Sequence, residues 1–177
     1  MPVCLLAPIG RRQPLSVIIG LLDSGMALSL ALLVAPARAQ MEPQTDIERT
    51  TVSVNYHQAL HGAQWATTLA VGRNDKSDGP STDALLLEST WIRERQTLFA
   101  RFERTEKDEL FEPGEPLARR AFTINKLSVG AIYDLFVTAT GRLGIGAEYG
   151  RHFIPGALEP VYGNQPDAWL VFARWRL

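Results

Sequence analysis

From residue 47 onward the chain alternates apolar and polar residues with a period of two, the signature of a β-strand with unlike faces. In TTVSVNYHQ, Val52, Val54 and Tyr56 alternate with Ser53, Asn55 and His57. In QWATTLAVGRN, Trp65, Thr67, Leu69 and Val71 oppose Ala66, Thr68, Ala70 and Gly72. DALLLESTWIRE sets Leu85, Leu87 and Trp91 against Glu88 and Thr90. TLFARFERT sets Leu98, Ala100 and Phe102 against Arg101 and Glu103. INKLSVGAIYDL sets Leu127, Val129, Ala131 and Tyr133 against Lys126, Ser128, Gly130 and Asp134. RLGIGAEYGRHF sets Leu143, Ile145, Ala147 and Tyr149 against Gly144, Gly146, Glu148 and Gly150. In DAWLVFARWRL, Trp169, Val171, Ala173, Trp175 and Leu177 share a face, with Arg174 and Arg176 between them. The pattern predicts about seven strands of roughly 9–12 residues, close to the length that crosses a bilayer at a tilt.

The connections alternate as well. The turns at 58–64 and 92–96 are short, and 135–142 is intermediate. The loops at 73–83, 105–121 and 154–167 are longer and rich in Gly, Pro and charge. Short turns at one end and long loops at the other form the layout of a transmembrane β-barrel.

The first residues differ in texture. Arg11 and Arg12 precede apolar runs, and Ala37-Arg38-Ala39 has the small-x-small form of a signal-peptidase site. The expected division is a signal-peptide-like helical leader over 1–39, a short linker over 40–46 and the β-barrel strands and loops over 47–177.

Alternation alone does not say which face is inside. A soluble barrel of the lipocalin kind would bury the apolar face, including Trp65, Leu69, Trp91 and Trp175. A membrane barrel turns that face to lipid and the polar face to the lumen. The polar face here is rich in small residues, among them Ala66, Thr68, Gly130, Gly144 and Gly146. That suits the crowded inside of a narrow barrel. Aromatic residues on the apolar face, Tyr56, Trp65, Trp91, Tyr133, Tyr149, Trp169 and Trp175, fall near strand ends, where interfacial girdles form.

VFARWRL carries a more specific signal. Val171, Ala173, Trp175 and Leu177 resemble the C-terminal assembly signal of Gram-negative outer-membrane β-barrel proteins of proteobacteria, with Leu177 in place of the usual terminal Phe. The resemblance implies an all-β, antiparallel up-and-down transmembrane barrel of about seven to eight strands, or the C-terminal part of one. It implies secretion to the outer membrane, contact with outer-membrane lipid, and recognition of the last strand by the barrel-assembly machinery. With a periplasmic C-terminus, the long loops face outward and the short turns face the periplasm. Seven strands then leave the first one starting outside, whereas single-chain bacterial barrels have an even number. Either one strand escapes the pattern or the chain is the C-terminal part of a larger barrel, missing its upstream strands; the second is expected, with closure through another chain as a further alternative.

Composition adds exclusions. A net charge of −1 without a basic cluster gives no support to nucleic-acid binding. The single cysteine, Cys4, excludes an intramolecular disulfide framework. No cofactor or metal is expected. The candidate site is a row of charges on the polar face: Glu88, Arg101, Glu103, Lys126, Asp134, Glu148, Arg174 and Arg176. Pairings of Glu88 with Arg101, and of Glu148 with Lys126 or Arg174, are expected across strands. The functional expectation is a structural barrel or passive pore, porin-like and not enzymatic, whose lumen charges set selectivity. The rival is a barrel enzyme acting on lipid or peptide, for which Glu103, Glu106, Asp108 and His152 are the neighbouring candidates.

Overall fold

A computed structural model gives the structure and describes residues 15–23, 26–38, 46–77, 79–111, 114–115, 117–118 and 120–176, with side chains from residue 47 onward. Nine strands form one sheet in chain order: β1 (Leu15–Asp23), β2 (Met26–Arg38), β3 (Asp46–Leu60), β4 (Ala63–Lys76), β5 (Thr82–Arg93), β6 (Gln96–Lys107), β7 (Phe122–Thr138), β8 (Gly141–Phe153) and β9 (Asp167–Arg176). Each neighbouring pair is antiparallel. The seven strands predicted from alternation are β3–β9. Residues 15–23 and 26–38, where the sequence places the apolar part of the leader, run as β1 and β2, with Leu30 opposite Val54 of β3. The Ala39–Gln40 junction lies outside the described residues.

The connections sort by length more cleanly than the sequence suggests. Leu60 pairs with Ala63, Arg93 with Gln96 and Thr138 with Gly141, so each of these hairpins closes through two residues. Gly62 and Glu94 adopt positive φ (72° and 52°) within the first two of these turns. The loops at the opposite end are longer. One of them, after β8, carries a 3₁₀ turn (Gly156–Leu158) and a single helical turn, α1 (Glu159–Tyr162).

The segment 135–142, read from sequence as a connection, is mostly strand. A β-bulge between Asp134 and Phe136 inserts Leu135 into β7 and breaks the period-two pattern. Past the bulge, Phe136 pairs with Leu143 and rejoins the apolar face.

That face points outward. Leu69 is 43% exposed, Leu98 50%, Val129 47%, Ile145 49% and Trp175 59%. The opposite face holds the buried residues Thr97, Ser128, Ile132 and Asp134. This is the reverse of a soluble barrel, in which Trp65, Leu69 and Trp175 would be covered.

The sheet is strongly curved. Arg174 of β9 donates to Thr97 Oγ1 of β6 at 3.3 Å, although β7 and β8 lie between them. Three flat strand spacings would separate these backbones by about 14 Å, too far for one arginine and one threonine to bridge. Their contact requires a concave inner face. The sheet is not closed: β1 and β9 do not pair with each other. In an antiparallel sheet of nine strands in chain order, β1 and β9 also run in the same direction.

Candidate functional site: the charged inner wall

The inner wall carries two separate clusters. The first lies at the short-turn end of β7, β8 and β9. Asp134 is 2% exposed and gathers three guanidinium groups. Arg174 Nη2 donates to Oδ1 at 3.0 Å, Arg176 Nη2 lies 3.5 Å from Oδ2, and Arg142 Nη1 lies 3.7 Å from Oδ2. Local chain geometry builds this convergence. Antiparallel register puts Asp134 opposite Gly144 and Gly144 opposite Arg174, so all three share the inner face. A Cβ on Gly144 would stand 2.7 Å from Asp134 Oδ1, so glycine lets the carboxylate lie flat against β8. The Asp134 backbone N–H donates to Arg95 O at 2.8 Å, and Arg142 Nη1 donates to Glu94 O at 3.1 Å, which ties the cluster to the β5–β6 turn.

A carboxylate this buried requires charged or hydrogen-bonding partners, because a lone ion out of water costs several kcal/mol. Three arginines over-compensate one aspartate. Arg174 Nε is buried without a hydrogen-bond partner among the described residues.

The second cluster sits on β5 and β6. Arg101 Nη2 lies 2.6 Å from Glu103 Oε1, and Nη1 lies 3.6 Å from Glu88 Oε2. These groups are far more open, with Arg101 and Glu88 side chains both 43% exposed. The row expected as one network is thus divided. Lys126 and Glu148 join neither cluster: among the described residues neither comes within ion-pairing distance of an opposite charge. Register explains this. Glu148 stands opposite Gly130, while Lys126 stands opposite His152, so the two are separated along the strands. Glu148 is likewise offset along β8 from Gly144, the residue opposite Arg174.

The rim candidates for chemistry are also dispersed. Glu103 lies on the inner face with Arg101. Glu106 is on the outer face and accepts the Asp83 backbone N–H at 3.1 Å. Asp108 is held by Lys76 Nζ at 2.8 and 2.9 Å, which pins the loop after β6 to the end of β4. His152 Nδ1 lies 3.2 Å from Pro166 O. No group of three or more His, Cys, Asp or Glu side chains among the described residues is arranged to hold a metal.

On the outer face the aromatic residues divide by height. Tyr56, Trp65, Trp91, Tyr133 and Trp175 lie toward the short-turn end. Tyr56 and Trp65 stack edge to face at 5.6 Å. Trp65 Nε1 donates to Ser89 Oγ at 2.9 Å, so the ring keeps a polar anchor beside its apolar body. Tyr149 and Trp169 pair at 4.7 Å toward the long-loop end. On β9, Val171 is 71% exposed and Ala173 is exposed beside Trp175; Leu177 lies outside the described residues.

An outward apolar belt, an inward polar wall and hairpin turns at one end give the chain the all-β, up-and-down architecture seen in transmembrane β-barrels. Comparison with known proteins agrees. No family model matches the chain, and no curated protein matches it in sequence. Two solved structures match it over 93% of its length. Both are of OmpT, an in-vitro folded outer membrane protein of Vibrio cholerae, one in a trimer form. Their TM-scores are 0.51 and 0.53, at 11% and 10% identity. The likeness is one of fold. The chain spans 56% of the length of each structure.

Proposed function

We propose that the chain supplies the strands of an outer-membrane β-barrel that acts as a structural wall or passive pore, with its inner charges lining the path of small solutes. The observation that carries this reading is the inverted amphipathicity: large apolar side chains stay exposed outside while ionic groups are gathered inside. Lipid would cover the outer belt, and β9 would present Val171, Ala173, Trp175 and Leu177 to the assembly machinery.

Closure belongs to the same proposal. The two end strands run in one direction, so they cannot pair antiparallel with each other. Two copies of the sheet in one membrane orientation face the same restriction. Unpaired strand edges in hydrocarbon cost several kcal/mol per group. An odd number of further strands, from upstream sequence or another polypeptide, would satisfy both edges. The leader reading stands beside this one: cleavage after Ala39 would remove β1 and β2 and leave β3, which runs in the same direction as β1, so the parity is unchanged.

The test is to isolate outer membranes from cells expressing the full chain and compare unboiled and boiled samples on a detergent gel. A fast unboiled band that is lost on boiling, together with conductance after reconstitution, is the expected result where further strands close the sheet. A soluble, unshifted protein in the periplasm would sink the barrel reading. The intact mass of the recovered protein reports whether residues 1–39 remain.

A further inference from the structure

We propose that the cluster of Arg142, Arg174 and Arg176 around Asp134 is a binding site for small oxyanions at the periplasmic mouth of the barrel, and that it makes the lumen prefer anions. The inference rests on the pore reading for its second half only.

Three guanidinium groups converge on one carboxylate, which leaves two positive charges in excess on the inner face. Among the described residues, no other carboxylate lies within 4.0 Å of any of the three. The protein's overall charge of −1 conceals this local excess. Asp134 has only two oxygens to offer. Arg176 and Arg142 reach it at 3.5 and 3.7 Å, longer than an ideal charge-assisted contact, and their side chains remain 38% and 40% exposed. Arg142 Nη1 also donates to Glu94 O at 3.1 Å, and among the described residues the other Nη donors of the pair meet no further acceptor. A guanidinium presents a planar fork that matches two oxygens of a phosphate, sulfate or carboxylate. Two such forks on adjacent strands stand side by side, because Arg142 and Arg176 are directly opposite in register. The buried aspartate then has a definite role: it anchors three arginines while neutralising only one of their charges.

The probe is inorganic phosphate. Thermal unfolding of the folded protein in detergent would be followed in sodium phosphate and in sodium chloride at equal ionic strength. The variants are Arg176→Gln, which removes one of the two forks, and Arg104→Gln, on the outer face. Phosphate is expected to raise the melting temperature of the native protein and of Arg104→Gln, and to lose this effect in Arg176→Gln. Equal responses in all three, or none, would overturn the site.

Zero-current potentials in a tenfold KCl gradient test the second half. The native protein should favour chloride, and Arg176→Gln should reduce that preference about sevenfold, because one unit charge through water at about 7 Å shifts anion and cation each about threefold in opposite directions. Cation preference in the native protein would overturn the selectivity claim. Phosphate stabilisation without any conductance would leave the anion site standing and remove the pore.

Discussion

The β5–β6 part of the inner wall and the β7–β9 part carry the same kinds of residue and treat them differently. On β5 and β6, Arg101 lies between Glu88 and Glu103 with its side chain 43% exposed. On β7–β9, Asp134 is buried to 2% under three arginines. The difference comes from what surrounds the charges. Gly144 and Gly146 strip the wall of β8, so neighbouring side chains lie flat upon it; Phe172 and Ile132 would meet a Cβ on Gly146 at 2.6 and 2.9 Å. Glu88 lies on β5 between Thr68 and Arg101 in register, with no glycine beside it. Identical charge alternation thus yields a solvated ion pair in one place and a desolvated hub in the other. Only the second is costly to break.

Substitutions can test that contrast. Asp134→Ala should be the most damaging, at about 3–5 kcal/mol, because it leaves arginines packed inside without a counter-ion. Urea unfolding in lipid vesicles would read it, and a loss near zero would mean that water reaches the hub freely. Leu69→Arg, on the outer face in the middle of β4, should cost about 2–4 kcal/mol if that face meets hydrocarbon. The same measurement in vesicles checks it. Gly146→Trp should cost about 1–3 kcal/mol through overpacking against Phe172 and Ile132, with conductance reduced as well. Arg101→Ala should change stability by no more than about 1 kcal/mol, since its partners are largely hydrated. If Arg101→Ala and Asp134→Ala proved equally harmful, the distinction between the two parts of the wall would be wrong.

Much of the fold was legible in the sequence because a membrane strand shows its environment at every second residue. The seven strands β3–β9, the two faces and the division into short turns and long loops all follow from that period. The site was legible in its members and not in its grouping. Asp134 reads as one inner-face charge among eight, and its role as hub depends on Gly144 opposite it and on arginines more than thirty residues later in β9. The bulge at Leu135 hid the end of β7, because one inserted residue reverses the phase of the pattern and mimics a loop. Glu148 and Lys126 were expected to find partners, but pairing depends on register, and register is set by two-residue turns and by the bulge.

The sequence by itself determined periodicity, the chemistry of each face and the turns that reverse the chain, since these depend on residues close to one another. The tertiary structure decided which face is inside, which charges are buried and which meet. Those outcomes depend on curvature, and curvature arises only when several strands are paired and twisted together. The contact between Arg174 and Thr97 across two intervening strands is the clearest instance.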